Sequence, residues 1–365
     1  MPLPLILRWP NREAAHEPLL ARLGADQILG EEAVEGALTS GLWPGIRSPG
    51  AKGGNPDVAS ASREPWVDAS GYLAAVQRAL GRPGLLAHQH RNPEQGVPFE
   101  SLELALVEAR VNGGNFVLSV EPRYRQALLA GEARALGAWS SLGRTAAWLR
   151  QHEGLFGRPT LPTLTALVEP GYATTEIANL LFRRGGSPRL AAAANVPKPD
   201  PERTAVLVAA GLKEVPAAAW EHAAAGATVV IDSAPVAGWQ RIKEDLDRTV
   251  YGVGRGQVVA YHKRVQDPSE FALDCIDLVT HKRRAARLWN APAAIPLATA
   301  GGLLHVIQYG SPIEVEIQAR VQGVYRSATL QRPEGPPLPL KLYRRGTMSE
   351  VFPPSIQRLG VVQFE

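Results

Sequence analysis

The chain has 365 residues and a net charge of +4 at pH 7; 45% of its residues are hydrophobic and 20% are charged. This composition is that of a folded globular protein and excludes an intrinsically disordered chain. The length predicts two or three domains, because single cores rarely grow beyond about 250–300 residues. The single cysteine, Cys275, excludes an intramolecular disulfide, so the fold does not depend on an oxidising compartment.

Hydropathy and charge also limit the partners. Residues 1–8 are too short for the apolar core of a signal peptide, and no stretch approaches the roughly 20 apolar residues of a membrane span. We therefore expect a cytoplasmic protein with no membrane partner. The densest basic cluster, 281–284 with Arg287, lies at the end of a predicted helix, where cations complement the helix dipole. A nucleic-acid surface requires a larger basic stripe, so we predict no nucleic-acid partner.

Residues 1–156 alternate short apolar runs with amphipathic segments, the pattern of β/α units around a parallel sheet. A full β/α barrel has eight strands, whereas this region predicts six. We therefore predict a reduced or incomplete TIM-like barrel, with the Gly- and Pro-rich segment 48–64 as a loop over its mouth. The strands are predicted at 3–8, 26–29, 41–46, 65–68, 85–89 and 115–120, and the helices near 13–23, 31–39, 70–80, 99–111 and 131–153.

Two carboxylates follow predicted strands of this region. Alternation along 115–120 places the large apolar side chains on the face that helices cover and directs Glu121 to the barrel interior. Asp68 ends the strand 65–68 in the same way. Catalytic groups of a β/α barrel lie at the carboxyl ends of its strands, so Glu121 and Asp68 are the candidate catalytic pair. The alternative for each is a solvated loop acid or a helix-start residue; Glu103 and Glu108, within a helical pattern, are expected to be solvated.

Three tryptophans, Trp9, Trp43 and Trp66, each lie at a predicted strand end. The apolar faces of sugar rings stack on indoles, and aromatic side chains commonly rim the clefts that bind such ligands. A tryptophan can equally pack in a core, and for any one of the three both interpretations stay open. Together they predict a rim that contacts the ligand.

Polar side chains add to this rim. His88 and Gln89 end the strand 85–89, and either can hydrogen-bond to sugar hydroxyls, although alternation does not decide which faces inward. Tyr124 is a further candidate for substrate binding. A zinc site using His88 and His90 needs two more ligands, and no such cluster is evident, so we predict no metal and no cofactor.

Residues 157–292 form a second alternation, which predicts a flavodoxin-like doubly wound α/β domain. The glycines of 251–256 precede a strand instead of following one, so they predict a turn and not a nucleotide loop. Cys275 lies in a helical pattern, away from any strand-to-helix elbow, which argues against amidotransferase chemistry. The strands are predicted at 163–168, 189–193, 204–210, 227–232 and 257–262, and the helices near 173–184, 215–225, 238–247 and 268–288.

The pattern changes again over residues 293–365. Residues 313–321 alternate apolar and polar side chains with a period of two, which predicts a half-buried antiparallel strand. Further strands at 340–343 and 359–364 complete a small C-terminal antiparallel β-domain of sandwich type.

The order of these three regions resembles that of the β-galactosidases of glycoside hydrolase family 42, with a middle domain like that of glutamine amidotransferases but without the catalytic cysteine. The segments 64–72, 251–257, 303–310 and 325–330 also look like those of bacterial glycoside-hydrolase-like proteins. The resemblance implies a carbohydrate substrate or ligand. The middle domain of that family is a trimerisation module, which implies that this chain can form a homo-oligomer.

The sequence departs from the family in its catalytic motif. The family takes its general acid/base from an Asn-Glu pair, and this sequence contains none. If hydrolysis occurs, Glu121 would be the base or nucleophile and Asp68 the acid. The strands that carry Asp68 and Glu121 are expected two positions apart in the sheet, so their backbones would be about 9–10 Å apart. This distance favours the wider carboxyl spacing of an inverting enzyme. The alternative is a non-catalytic carbohydrate-binding or assembly protein on a decayed hydrolase scaffold.

Overall fold

The computed structural model describes residues 3–30, 34–40, 42–47, 66–89, 97–310 and 316–365. It shows a mixed α/β protein with one parallel sheet and one largely parallel sheet, followed by antiparallel sheets at the C-terminal end. The predicted loop 48–64 lies outside the described residues, as do His90 and the side chain of Trp66.

The first region is built on a five-stranded parallel sheet with the order β2-β1-β7-β6-β3. Its last strand along the chain, β7, pairs with the first, β1, and the described strands leave the sheet open between β2 and β3. The strands are β1 (Ile6–Arg8), β2 (Gln27–Leu29), β3 (Leu38–Ser40), β4 (Gly45–Arg47), β5 (Trp66–Asp68), β6 (Leu85–His88) and β7 (Asn115–Ser119). The helices are α1 (Glu17–Leu23), α2 (Gly71–Ala79), α3 (Glu100–Val111), α4 (Pro122–Leu129) and α5 (Ala133–Gln151), with short 3-10 helices at Ala14–His16 and Glu153–Leu155.

The two faces of this sheet differ as the alternation along 115–120 predicts. Phe116 and Leu118 belong to the large core shared with the helices. Val117 packs on the other face, with Ile6 of β1 and Ala87 of β6. The β7 side chains are thus divided, as predicted, between the face that helices cover and the opposite face of the sheet, which we call the inner face.

Two predictions for this region are wrong. The helix expected near 31–39 is replaced, in its described part, by β3, because Gly36 has a positive φ of 76° and ends any helix there. The strand that carries Asp68, β5, does not join the parallel sheet. It pairs antiparallel with β4 in a separate two-stranded ribbon.

The middle region contains a seven-stranded sheet with the order β12-β13-β14-β11-β10-β8-β9. Its five parallel strands, numbered along the chain, lie in the order 2-1-3-4-5 of a flavodoxin-type sheet. The strands are β8 (Leu164–Val168), β9 (Arg189–Ala192), β10 (Val206–Val208), β11 (Thr228–Ile231), β12 (Gln240–Glu244), β13 (Arg248–Val253) and β14 (Gly256–Tyr261). The helices are α6 (Tyr172–Arg183), α7 (Ala218–Ala224) and α8 (Pro268–Asp277), with a 3-10 helix at Ala193–Asn195.

Two helices of this region were predicted wrongly. The segment expected as a helix near 238–247 forms the exposed, charged edge strand β12, because pairing with β13 overrides its helix propensity. The helix expected over 268–288 ends at Asp277, and residues 286–289 pair with a C-terminal strand instead. The basic cluster around Arg284 therefore lies beyond the helix. The chain turns between β13 and β14 at Gly254 and Arg255, within the segment 251–256 that was predicted as a turn.

The C-terminal strands form two antiparallel sheets, β15-β18-β22-β21 and β16-β17-β23-β19-β20, which share one apolar core. Ile317, Ala319 and Val321 are buried while the residues between them are partly exposed, so the described part of the predicted alternation is confirmed. The strands are β15 (Ala286–Trp289), β16 (Ala294–Thr299), β17 (Leu303–Gln308), β18 (Gln318–Gln322), β19 (Ala328–Arg332), β20 (Gly335–Pro339), β21 (Leu342–Arg345), β22 (Met348–Val351) and β23 (Leu359–Phe364).

The Cys275 thiol lies on the buried face of α8 beside Phe271 and Ala272. Burial, followed by the nearby Asp274 carboxylate, raises the pKa of Cys275. A buried thiol with a raised pKa is inert. We expect Ellman's reagent to modify the unfolded chain stoichiometrically and the native protein hardly at all over the same period. Rapid modification of the native protein would contradict this placement of Cys275.

Candidate functional site

Glu121 lies at the carboxyl edge of the five-stranded sheet, between β7 and α4. Its backbone is extended, with φ −62° and ψ 142°, and its carboxylate accepts a hydrogen bond from the Tyr124 N–H at 3.2 Å. Pro122 occupies the first helical position, where its missing N–H costs nothing. Glu121 therefore caps the helix, and only 5% of the residue is exposed.

The inner face of the sheet becomes polar toward the same edge. In the register of β1 and β7, Ile6 pairs with Val117 and Arg8 pairs with Ser119. Because side chains two residues apart on a strand lie on the same face, Arg8 and Ser119 lie on this inner face, next to the first pair. Gln89 comes directly after β6 and is exposed. Arg8 was not predicted as a site residue. The available signal was the alternation of Ile6, Leu7 and Arg8, which was obscured because residues 3–8 look like a continuous apolar run.

A small hollow opens at this edge. Its volume is about 10 Å³, which is about the room that one water molecule needs. It is lined by residues from β7, α3, α4, the segments before these two helices, and the segment between β3 and β4: Trp43, Val97, Pro98, Leu102, Ser119, Glu121 and Tyr124. The hollow thus brings together Trp43, Glu121 and Tyr124, three of the residues singled out from the sequence.

The Trp43 indole is held at the hollow but remains partly exposed. Its ring meets the His88 ring edge-on, with centroids 4.8 Å apart, and lies 6.3 Å from the Phe116 ring. Its Nε1 donates to the Gln89 carbonyl at 3.4 Å. An aromatic side chain fixed in this way can present a ring face to a ligand without further loss of entropy.

Trp9 and Tyr124 do not form an exposed rim. Trp9 is 1% exposed, packs edge-on against Trp139, and donates from Nε1 to His16 Nδ1 at 3.2 Å. Tyr124 is buried and stacks on Phe99, with centroids 4.3 Å apart. Neither side chain therefore offers an exposed stacking face, although Tyr124 lines the hollow. Contact of these two residues with a substrate stays a prediction.

His88 also turns away from the inner face. It is 1% exposed, and its Nε2 lies 3.2 Å from Ser70 Oγ. Ser70 donates from its backbone N–H to both carboxylate oxygens of Glu108 at 3.1 Å and from Oγ to Oε2 at 2.8 Å. Tyr309, from the C-terminal region, donates its hydroxyl to the other oxygen of Glu108. His88 therefore belongs to a buried network that joins the first region to the C-terminal region.

The expectation that Glu103 and Glu108 are solvated is wrong. Both lie on α3, whose residues from Ser101 to Val111 are all buried. Burial raises the pKa of Glu108 to about 7, against the hydrogen bonds from Tyr309 and Ser70 that lower it. Burial likewise raises the pKa of Glu103, whose carboxylate accepts from Thr145 Oγ1 at 2.5 Å.

Asp68 lies apart from this sheet. Its Oδ1 is 3.4 Å from Nη1 of Arg183 on α6, and 15% of its side chain is exposed. The sequence predicts that Asp68 faces Glu121 across the strand that ends at His88. This prediction is wrong, because the Asp68 strand, β5, pairs with β4 in a separate ribbon. The inverting spacing inferred from that geometry loses its basis.

No group of three His, Cys, Asp or Glu side chains among the described residues could hold a metal ion. No helix in the described ranges has the length and apolar character needed to cross a bilayer.

Sequence comparison does not place the chain, whereas its fold is similar to several solved structures. No protein-family model and no curated protein sequence matches it. Alpha-L-fucosidase isoenzyme 2 from Paenibacillus thiaminolyticus superposes with a TM-score of 0.53 at 10% identity, over 81% of this chain and 62% of the enzyme. The beta-galactosidase from Bacillus circulans sp. alkalophilus gives 0.51 at 10% identity, over 81% and 57%. A mutant GH42 beta-galactosidase from G. stearothermophilus gives 0.50 at 12% identity, over 81% and 56%.

The chain has a glycoside-hydrolase-like fold. Identities this low show the fold alone, and the chain spans less than two thirds of the length of each of these enzymes. Within this glycoside-hydrolase-like fold, Glu121 occupies the carboxyl edge of the parallel sheet, whereas Asp68 is directed toward α6.

Proposed function

We propose that the protein binds carbohydrate at the carboxyl edge of its five-stranded sheet. Trp43 supplies the stacking surface, and Glu121, with Arg8 and Gln89, supplies hydrogen-bonding groups for hydroxyls. The observation that carries the proposal is that Trp43 and Glu121 line one hollow at this edge, in a chain whose fold is like that of glycoside hydrolases. Ligand-binding and catalytic groups of β/α barrels occur at this end of the strands.

In this proposal the five strands are a reduced barrel. The pairing of β7 with β1 corresponds to the closure of a ring, and the interruption falls between β2 and β3. A ring of five short strands has little interior volume, which is consistent with a shallow ligand site at its edge. The Trp66 side chain and residues 48–65 lie outside the described ranges.

Binding without hydrolysis accounts best for the carboxylates. Glycoside hydrolysis by a carboxylate pair requires two carboxyl groups about 5–9.5 Å apart on either side of the bond. Asp68 is held by Arg183 and lies on a different sheet from the strand that leads to Glu121. The absence of an Asn-Glu pair in the sequence supports the same conclusion.

Hydrolysis is the second candidate, and the position of Glu121 at the end of β7 favours it. If Glu121 is a nucleophile or base, the wild-type protein should cleave an aryl glycoside and Glu121→Gln should abolish turnover while the ligand still binds. A broad panel of aryl glycosides that are all left intact by the wild-type protein would exclude this candidate.

The binding proposal is tested with a panel of neutral oligosaccharides in a thermal-shift assay, because a ligand selective for the native state raises apparent stability. For the oligosaccharide that gives the largest shift, Trp43→Ala should weaken affinity about tenfold, the upper end of an aromatic contact. Glu121→Gln should weaken it by about tenfold or more, since a charged hydrogen-bond partner is lost.

Tyr172→Ala is the matched control, because Tyr172 is 80% exposed on α6 in the middle region. Its affinity for the oligosaccharide should equal that of the wild-type protein. Absence of any stabilising oligosaccharide, or equal affinities for Trp43→Ala and Tyr172→Ala, would contradict the proposed site.

A further inference from the structure

A second cavity lies between the middle and C-terminal regions. It has a volume of about 280 Å³ and is bordered by the end of α6, by α8 and by β15 and β16. Leu164, Ile276 and Ile295 give it an apolar wall. Its charged lining, among the described residues, consists entirely of guanidinium groups: Arg183, Arg184, Arg284 and Arg287.

Two of these arginines have an acidic partner. Arg183 faces Asp68 at 3.4 Å, and Arg284 Nη2 contacts Asp277 Oδ1 at 2.7 Å. Arg284 also lies against the carbonyl groups that end α8, with Nη2 3.5 Å from the Ile276 oxygen. The charges of Arg183 and Arg284 are therefore compensated within the protein.

The other two arginines contact groups that carry no negative charge. Arg184 Nη2 donates to Ser269 Oγ at 2.8 Å. Arg287 Nη1 lies 3.0 Å from His281 Nδ1, and its guanidinium lies 4.6 Å from the centre of the Trp289 ring. Within the described part of the chain, no carboxylate lies within 4.0 Å of either guanidinium. Neither Arg184 nor Arg287 therefore has an ion-pair partner in the described part of the chain, and Asp277 offsets the charge of Arg287 only from a longer distance.

Neighbouring positive charges act on Arg287. Burial, and then the like charges of Arg284 and Arg320, lower the pKa of Arg287. Arg184 follows the end of α6, where the helix dipole favours a cation. Arg287 lies on β15, so no helix dipole accounts for its position. A bound anion would offset the repulsion between Arg287 and its neighbours Arg284 and Arg320.

We propose that this cavity binds a small phosphate monoester. The dianionic phosphate would match the positive charges of Arg184 and Arg287, neither of which has an ion-pair partner in the described ranges, and the planar guanidinium groups suit bidentate contacts to its oxygens. The carbon skeleton of the ligand would lie against Leu164, Ile276 and Ile295. No residue that lines this cavity lines the hollow at Glu121, so the two binding proposals stand or fall separately.

Glycerol 3-phosphate is the probe, titrated into the full-length protein by calorimetry at constant ionic strength, with glycerol and malonate in parallel. We expect binding of glycerol 3-phosphate, none of glycerol, and weaker binding of malonate. Arg287→Gln and Arg184→Gln should each weaken the affinity for glycerol 3-phosphate by about tenfold or more, as expected for the loss of a hydrogen bond to a charged group.

Arg344→Gln is the matched control, because Arg344 is exposed on β21 and lies outside the cavity lining. It should bind glycerol 3-phosphate with wild-type affinity. Circular dichroism will establish that each variant is folded, and the two cavity variants provide independent tests. Failure of the wild-type protein to bind glycerol 3-phosphate, equal affinity in Arg287→Gln and Arg344→Gln, or malonate binding as tight as phosphate binding would overturn the proposal.

Discussion

Glu108→Ala is expected to lower the free energy of unfolding at pH 7 by about 3 kcal/mol. The Glu108 side chain accepts hydrogen bonds from the Ser70 backbone, the Ser70 hydroxyl and the Tyr309 hydroxyl, all in a buried position. Removing it leaves these donors unsatisfied, at about 1–3 kcal/mol for each donor that neither relaxes nor finds water. The measurement is urea denaturation of the variant and the wild-type protein.

The pH dependence of stability separates this network from a simple packing role. The pKa of Glu108 is about 7 in the folded protein and 4.5 in the reference state. The folded state therefore binds more protons between these values, and the Glu108 contribution to stability falls as the pH rises from about 4.5 to 7. The fall is on the order of 3 kcal/mol. It is complete above pH 7.

Glu108→Gln is the matched variant for this test. Glutamine has nearly the same shape but does not titrate, so the wild-type protein should lose more stability than Glu108→Gln between pH 5 and pH 7. Parallel stability curves for the two proteins over this range would show that Glu108 does not titrate as its burial predicts. A loss under about 1 kcal/mol in Glu108→Ala would argue against the network itself.

Trp9→Ala is expected to cost about 3–5 kcal/mol, the range for deleting a large aromatic side chain from a core. Trp9 is fully buried, and its indole packs between His16 and Trp139. The expected result is a large fall in the free energy of unfolding with no specific effect on ligand affinity in the protein that remains folded. Equilibrium denaturation and oligosaccharide titration provide the two readouts.

Trp43→Ala is the matched comparison, because Trp43 is partly exposed at the hollow. It should cost less stability than Trp9→Ala and more ligand affinity. The reverse ranking, with Trp9→Ala well tolerated and Trp43→Ala strongly destabilising, would mean that the two tryptophans have been assigned to the wrong roles. Trp9→Phe, which keeps an aromatic ring, should show an intermediate loss of stability.

The sequence predicts best the strands whose hydrophobic pattern is set by burial in one sheet. The strand 115–120 was predicted correctly, including its two faces, because β7 is central and its alternation reports directly on the sheet. The parallel strands of the middle region were found for a similar reason. They are short apolar runs between amphipathic helices.

The errors arise where a distant partner decides the structure. Charged residues 240–244 form a strand because β13 pairs with them, and residues 286–289 leave the predicted helix because β18 pairs with them. The Asp68 strand joins β4 instead of the parallel sheet, and three-residue strands give no pattern from which such pairing could be read.

The candidate site shows the same limit. Their positions at predicted strand ends correctly suggested that Trp43 and Glu121 lie at one edge of the sheet. The same argument could not distinguish Trp43 from Trp9, whose burial depends on Trp139 of α5. Glu108 was expected in solvent because it lies on an ordinary amphipathic pattern. Tyr309, 201 residues away, covers it, and no local signal reports a contact of that range.

The most direct measurement is a crystal structure of the protein with the oligosaccharide that stabilises it most. We expect a sugar ring against the face of Trp43, with at least one hydroxyl within hydrogen-bonding distance of the Glu121 carboxylate. A sugar bound elsewhere on the molecule, with the edge of the five-stranded sheet empty, would contradict this expectation.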